Sequence, residues 1–259
     1  MSDIHLNFLD EDGLQSFLSG LSSYNVDGWL ISGDIGESAN VIHFLDLLAD
    51  ALPQPIYFVL GNHDFYGSSL SKTTCAVKKF VKNNKQLTWL TWSEVQNLSS
   101  GVALVGDDGW YDARLGNAFE TPIKLNDFFV IQELCGLNRQ HLVNKLKQLG
   151  DESVFRLKPK LFAAAENNNK VIVVTHVPPF GEAAWHEGQS STDNWLPWFS
   201  CKVMGNLLLD CAEAFPNVDF LVICGHTHGD GEYHPCSNLE VLTAEADYYV
   251  PRVDSILEV

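Results

Sequence analysis

Ile56-Tyr57-Phe58-Val59-Leu60-Gly61-Asn62-His63-Asp64 is an apolar run that breaks at a glycine and then offers an amide, an imidazole and a carboxylate. A short apolar run closed by a polar turn reads as a buried strand. Glycine at its end lets the backbone fold closely around whatever the next side chains hold. The pattern recurs along the chain. Gly28–Ile31 leads into Gly33-Asp34, Val171–Thr175 into His176, and Phe220–Cys224 into Gly225-His226-Thr227-His228. A fifth patch, Asp3-Ile4-His5, follows Met1 and Ser2.

Between the strand-like runs, which include Val102–Val105, lie segments of helical period. Leu14, Phe17, Leu18 and Leu21 share one face, as do Val41, Phe44, Leu45 and Leu48, and later Leu142, Leu146 and Leu149. The alternation predicts an α/β fold with helices layered over sheet. With 259 residues the chain suits a single domain over 1–259. An irregular insert is expected at about 107–160 and a long loop at about 177–199, the kind of segment that is commonly functional. Leu239–Thr243 and Asp247–Val250 read as closing strands.

Composition narrows the function. Thirty-three acidic residues against sixteen basic ones give a formal charge of −17, which argues against a nucleic-acid partner. Bound cations can invert that sign locally, so small anionic substrates stay compatible. No run approaches the roughly 18 apolar residues of a membrane helix, and no basic-then-apolar signal segment is evident. A soluble protein kept in the cytoplasm, with no membrane partner, is expected. The six cysteines form no CxxC pair and read as reduced core thiols.

Alternate residues of an extended segment point the same way, so Asp3-x-His5 and His226-x-His228 are each expected to present two ligands to one place. Carboxylate oxygen with imidazole nitrogen suits Mn²⁺, Fe²⁺, Zn²⁺ or Ni²⁺. Donors gathered at strand ends match the crevice where open α/β sheets bind ligands. Each patch alone has an ordinary structural explanation. All five in this order do not.

At these residues the chain resembles the calcineurin-like metallophosphoesterases, over nearly its whole length. The resemblance implies a two-sheet β-sandwich flanked by helices, with two divalent metal ions along one edge. It implies that Asp3, His5, Asp34 and His228 hold the first ion, and that Asp34 bridges to a second held by Asn62, His176 and His226. His63 would then act on the leaving-group oxygen as proton donor or charge stabiliser, with Asp64 orienting its ring. The implied activity is hydrolysis of a small phosphomonoester or phosphodiester by a metal-activated water. A catalytically silent scaffold of the same fold, or a nuclease, are the alternatives. The stretch Gly33-Asp34-Ile35-Gly36-Glu37-Ser38 lacks the arginine carried by protein phosphatases of this superfamily, which points toward small-molecule esters.

In that family the first Asp ends a full strand, whereas here only Met1 and Ser2 precede Asp3. A shortened start and a missing strand both stay open. If the strand is missing, Asp3 and His5 are expected on a frayed terminus, with the first ion held more weakly than the second. Trp185, Trp195, Trp198 and Phe199 either line a substrate cleft or simply bury area, and the same holds for Trp110 and Tyr111. Arg114 reads as a substrate-phosphate ligand or a surface ion pair. Asp107 and Asp108 are candidates for support behind the site, and His186 for reaching it.

Overall fold

The computed structural model describes residues 1–258. Its helices are α1 (Glu11–Leu21), α2 (Val41–Ala51), α3 (Leu70–Val81), α4 (Asp127–Val130), α5 (Arg139–Asn167), α6 (Leu196–Phe199) and α7 (Lys202–Ala214). Its strands are β1 (Trp29–Ser32), β2 (Ile56–Val59), β3 (Leu87–Trp89), β4 (Gln96–Ser99), β5 (Val102–Gly106), β6 (Lys170–Val174), β7 (Trp185–His186), β8 (Gln189–Ser190), β9 (Asp219–Cys224), β10 (Gly231–Cys236) and β11 (Leu239–Thr243).

The first three strands form a parallel sheet in the order β1-β2-β3. A mixed six-stranded sheet has the order β10-β11-β9-β6-β5-β4, antiparallel only at its two edges. Side-chain alternation explains how the layers meet. Val59 of β2 packs with Leu104 of β5 and with Ile172 and Val174 of β6, so these residues fill the space between the sheets. Their neighbours Phe58, Val105, Val171 and Val173 face the other way and join the larger core under the helices. The α/β architecture with two sheets flanked by helices is thus present, and both faces of the central strands are buried, which is why they read as continuous apolar runs.

The irregular stretch ends sooner than its sequence implies. Residues 107–138 contain only the short α4, but Arg139–Asn167 is one helix of 29 residues. Asn138 caps it by accepting from the His141 N–H, and Leu142, Leu146 and Leu149 lie on its buried face. Gly150 and Pro159 interrupt its helical signature in sequence without ending it. The Asp247–Val250 strand does not form. Those residues make a turn closed by Val250 N–H donating to the Asp247 carbonyl. Of the cysteines, Cys201, Cys211 and Cys224 are core residues as expected, but Cys75 and Cys135 are exposed and Cys236 is half-buried.

The first residues are not frayed. Met1 N donates to the Leu30 carbonyl at 2.9 Å, Ser32 N–H to Met1 O at 3.1 Å, and Asp3 N–H to Gly33 O at 3.1 Å. His5 N–H continues the series by donating to Asp34 O at 2.9 Å. The segment therefore runs beside β1 without being a regular strand, and Asp3 and His5 are each only 1% exposed. The physical basis for a weaker first ion is removed.

Ile172 tests the sandwich. It is fully buried between the sheets. Ile172→Ala is expected to lower unfolding free energy in urea by about 2–5 kcal/mol. A loss below about 1 kcal/mol would show that this layer is not close-packed.

Candidate metal centre

Four parallel strands end at one place. β1 and β2 of one sheet deliver Gly33-Asp34 and Gly61-Asn62-His63, while β6 and β9 of the other deliver His176 and Gly225-His226. The N-terminal segment adds Asp3 and His5 through the backbone bonds just described. Hydrogen bonds tie these loops to one another. Gly225 N–H donates to His176 O at 2.9 Å, and His226 N–H donates to both Asp3 carboxylate oxygens at 3.1 Å.

Asp34 lies at the centre. Its Oδ1 accepts from the His63 backbone N–H at 2.8 Å. Its Oδ2 lies 3.4 Å from His176 Nε2, 3.8 Å from His5 Nε2 and 4.0 Å from His63 Nε2. On one side, His228 Nε2 is 3.2 Å from His5 Nε2 and 3.4 Å from Asp3 Oδ1. On the other, the Asn62 side-chain carbonyl is 3.0 Å from His176 Nε2. Donor atoms of Asp3, His5 and His228, of Asp3, Asp34 and His176, and of His5, Asp34 and His63 converge as three overlapping triads, all within 4.8 Å in each.

The ring environments fit metal ligands. A ligating histidine usually donates its second N–H to a carbonyl, which fixes the tautomer. His176 Nδ1 is 2.8 Å from Ser32 O, and His226 Nε2 is 2.8 Å from Trp198 O. That leaves His176 Nε2 facing the carboxylate and His226 Nδ1 free for a cation. Burial, then His176, lowers the His226 pKa to about 4, and burial, helped by the neighbouring His63 and His228, outweighs the carboxylates to bring His5 to about 4, so both stay neutral donors. Burial opposes ionisation of Asp34, yet His176 and His63 hold its carboxyl well below the usual range. Burial also opposes a charge on His176, but Asp34 and Asp3 raise it to about 10. A proton on His176 thus balances the buried carboxylates in the cation-free protein.

The backbone here is strained. Asp3, His5, Asp34, His226 and His228 all have left-handed φ values, of 47°, 40°, 51°, 70° and 58°. Each such residue costs on the order of 1–3 kcal/mol and persists only where its surroundings fix it. The expected extended pairs are therefore absent. His226 and His228 are not parallel neighbours on one face. His226 stacks on Tyr111 (5.7 Å, 16°) near His176, whereas His228 faces His5 and Asp3.

Asp64 also differs from its expected role. Its Oδ1 accepts from the Ile35 and Gly36 N–H groups and its Oδ2 from Gly61 N–H, all at 2.8–3.0 Å. It joins the Asp34 loop to the Asn62 loop and makes no hydrogen bond to the His63 ring. That ring stacks instead on Tyr66, at 4.2 Å and 23°. Two further residues escaped the sequence reading. Asp127, fully buried, accepts from Asn62 Nδ2, Tyr66 OH and Tyr111 OH, and Tyr248 packs against His5 and His228 at 4.7 and 4.9 Å. Only the aromatic character of the insert hinted at the first.

The remaining candidates are structural. Asp108 accepts from Leu60 N–H, Trp89 Nε1 and Thr91 Oγ1, and Asp107 pairs with Arg156 at 2.7 Å. Arg114 pairs with Asp112 and Asp151. Trp198 is a core residue whose Nε1 donates to Ile123 O. Trp110 and Tyr111 are buried too, while Trp185 and Trp195 are half-buried. His186 reaches Thr227 O at 3.2 Å and stacks edge-on with Phe199, so it borders the His226 loop.

The sequence profile of the calcineurin-like phosphoesterase family matches residues 1–230, and the chain belongs to that family. Among solved structures it is similar to phosphopantetheinyl hydrolase (PptH) from Mycobacterium tuberculosis, with a TM-score of 0.70 and 14% identity, covering 96% of this chain and 88% of that one. It is also similar to a dimetal phosphatase from Danio rerio, with a TM-score of 0.57 and 16% identity, covering 93% and 79%. At these identities the likeness concerns the fold. No curated protein sequence matches the chain.

Gly61 offers a test of the cradle. A Cβ there would lie 2.6 Å from the Asp34 backbone nitrogen and closer still to its carboxylate. Gly61→Ala is expected to weaken Mn²⁺ binding by at least about 10-fold in calorimetric titration, because the central carboxylate must move. Unchanged affinity would mean that Asp34 does not need this position.

Proposed function

We propose that the protein is a dinuclear metal-dependent hydrolase of small phosphomonoesters or phosphodiesters. The observation that carries this reading is the single Asp34 Oδ2 flanked by His176 on one side and His5 on the other, within 3.4 and 3.8 Å. Asp3, His5 and His228 would hold one cation, Asn62, His176 and His226 the other, and Asp34 would serve both. When bound, two such cations supply Lewis acidity, which lowers the pKa of water and neutralises charge on phosphoryl oxygens.

The chain's own residues account for the rest. Asp64 fixes the two loops that carry Asp34 and Asn62. Trp198 O and Ser32 O hold His226 and His176 in the tautomers that leave one nitrogen free. We assign His63 to the substrate because its Nε2, at 4.0 Å, is the most distant of the three imidazoles around Asp34 Oδ2. Its ring is held flat against Tyr66, and its side chain is 16% exposed, against 1% for His5 and His176. From there it can give a proton to a departing alkoxide. A phosphopantetheinyl ester belongs in any substrate panel, since one protein of this fold carries that name.

Hydrolysis of bis-p-nitrophenyl phosphate and p-nitrophenyl phosphate with added Mn²⁺ tests the reading. Asp34→Ala should abolish turnover and metal retention together. His63→Ala should keep both ions and lose about 10²- to 10⁴-fold in kcat, more for alkyl than for p-nitrophenyl leaving groups. Absence of turnover on every ester, with two ions bound, would favour a silent scaffold. Loss of metal in His63→Ala would make His63 a ligand instead.

A further inference from the structure

Asn62 is a ligand with two faces. Only its carbonyl oxygen can bind a cation, whereas its NH₂ group cannot, and the two differ by a half-turn of one torsion. Something must choose between them. The side chain is 4% exposed, so solvent does not. Its Oδ1 faces His176 Nε2 at 3.0 Å, and its Nδ2 faces Asp127 Oδ1 at 3.1 Å.

Asp127 is an acceptor ringed by donors. Tyr66 OH donates to Oδ1 and Tyr111 OH to Oδ2, both at 2.6 Å, and the carboxylate is fully buried. A carboxylate held this way offers no hydrogen to the Asn62 carbonyl, so the amide can satisfy it only by turning its NH₂ toward it. The backbone around Asp127 is pinned to the loop that follows His63. Gly67 N–H donates to Val130 O at 3.1 Å, and Gln132 N–H donates to Ser68 O at 2.9 Å. The same two tyrosines carry the rings on which His63 and His226 stack, at 4.2 and 5.7 Å.

We propose that Asp127, supplied by the insert between β5 and α5, is a positioning residue that locks the Asn62 amide with its oxygen toward the second cation. Through Tyr66 and Tyr111 it also sets the planes against which His63 and His226 rest. The inference rests on the dinuclear reading given above. It gives the insert a function that none of the five motifs contains.

The full-length protein, stripped of metal and titrated with Mn²⁺, provides the test. Wild type should bind two ions per chain. Fewer would overturn the dinuclear reading itself, and this inference with it. Given two ions, Asp127→Asn should weaken one site by about 10- to 100-fold and leave the other within about 3-fold. Electron paramagnetic resonance should then show uncoupled Mn²⁺ at a concentration that fills both wild-type sites and gives wild type a coupled pair. Asn62→Asp removes the choice of face, since both its oxygens can ligate. In that background Asp127→Asn should cause no further weakening.

Equal loss at both sites, no loss at either, or the same loss in the Asn62→Asp background would overturn the proposal and leave Asp127 a packing residue. Should Asp127→Asn fail to fold, Tyr66→Phe with Tyr111→Phe keeps the carboxylate but frees it. That double variant should give the same one-site loss, at about 3- to 10-fold, and no loss would overturn the proposal.

Discussion

The Asp34 carboxylate is the fixed point of the molecule. It is buried, it lies between imidazoles from different layers, and its own backbone is left-handed. An uncompensated buried carboxylate would cost several kcal/mol. Asp3 adds a second one close by. Their burial is sustainable only with positive charge beside them, whether a proton on His176 or cations among the donors. The sandwich holds Asp34 by presenting four strand ends to one point. Asp64 ties two of those loops together through three backbone N–H groups.

Stored strain follows from the same requirement. Five of the donor-bearing residues adopt left-handed backbone without being glycine. Hydrogen bonds that cross from loop to loop hold them there, rather than any local preference. The motif glycines serve a different purpose. At Gly61 and Gly225 a side chain would collide with Asp34 and Asp3, so glycine marks where a backbone passes directly under a carboxylate. The surrounding charge completes the picture. Every arginine is already paired or donating to carbonyls: Arg114 with Asp112 and Asp151, Arg139 with Ala118 O and Thr121 O, Arg156 with Asp107, and Arg252 with Glu245 and Asp247. In a chain of net charge −17, bound cations would give the site its attraction for an anion.

Much of this was legible in sequence because buried strands and their glycine-led loops leave a strong pattern. Ile56–Leu60 and Val171–Thr175 announced both a strand and the donor after it. What the pattern missed was decided by backbone geometry or by distant neighbours. The left-handed turns at His226 and His228 invert the simple rule that alternate residues share a face. The anchoring of Met1 to Leu30 and Ser32 is made by main-chain atoms, which no residue type signals. Asp64 adjoins His63 in sequence yet turns away from it to backbone amides. Asp127 carries no motif at all, and its importance appears only when Asn62, Tyr66 and Tyr111 are seen to surround it.

Crystals of the protein grown with Mn²⁺ and measured at the manganese absorption edge would test the central claim most directly. Two anomalous peaks are expected, about 3.5–4 Å apart, one on either side of Asp34 Oδ2. One should touch Asp3, His5 and His228, the other Asn62, His176 and His226. A single peak, or manganese only at the group of Glu232, His234 and Glu240, would contradict it.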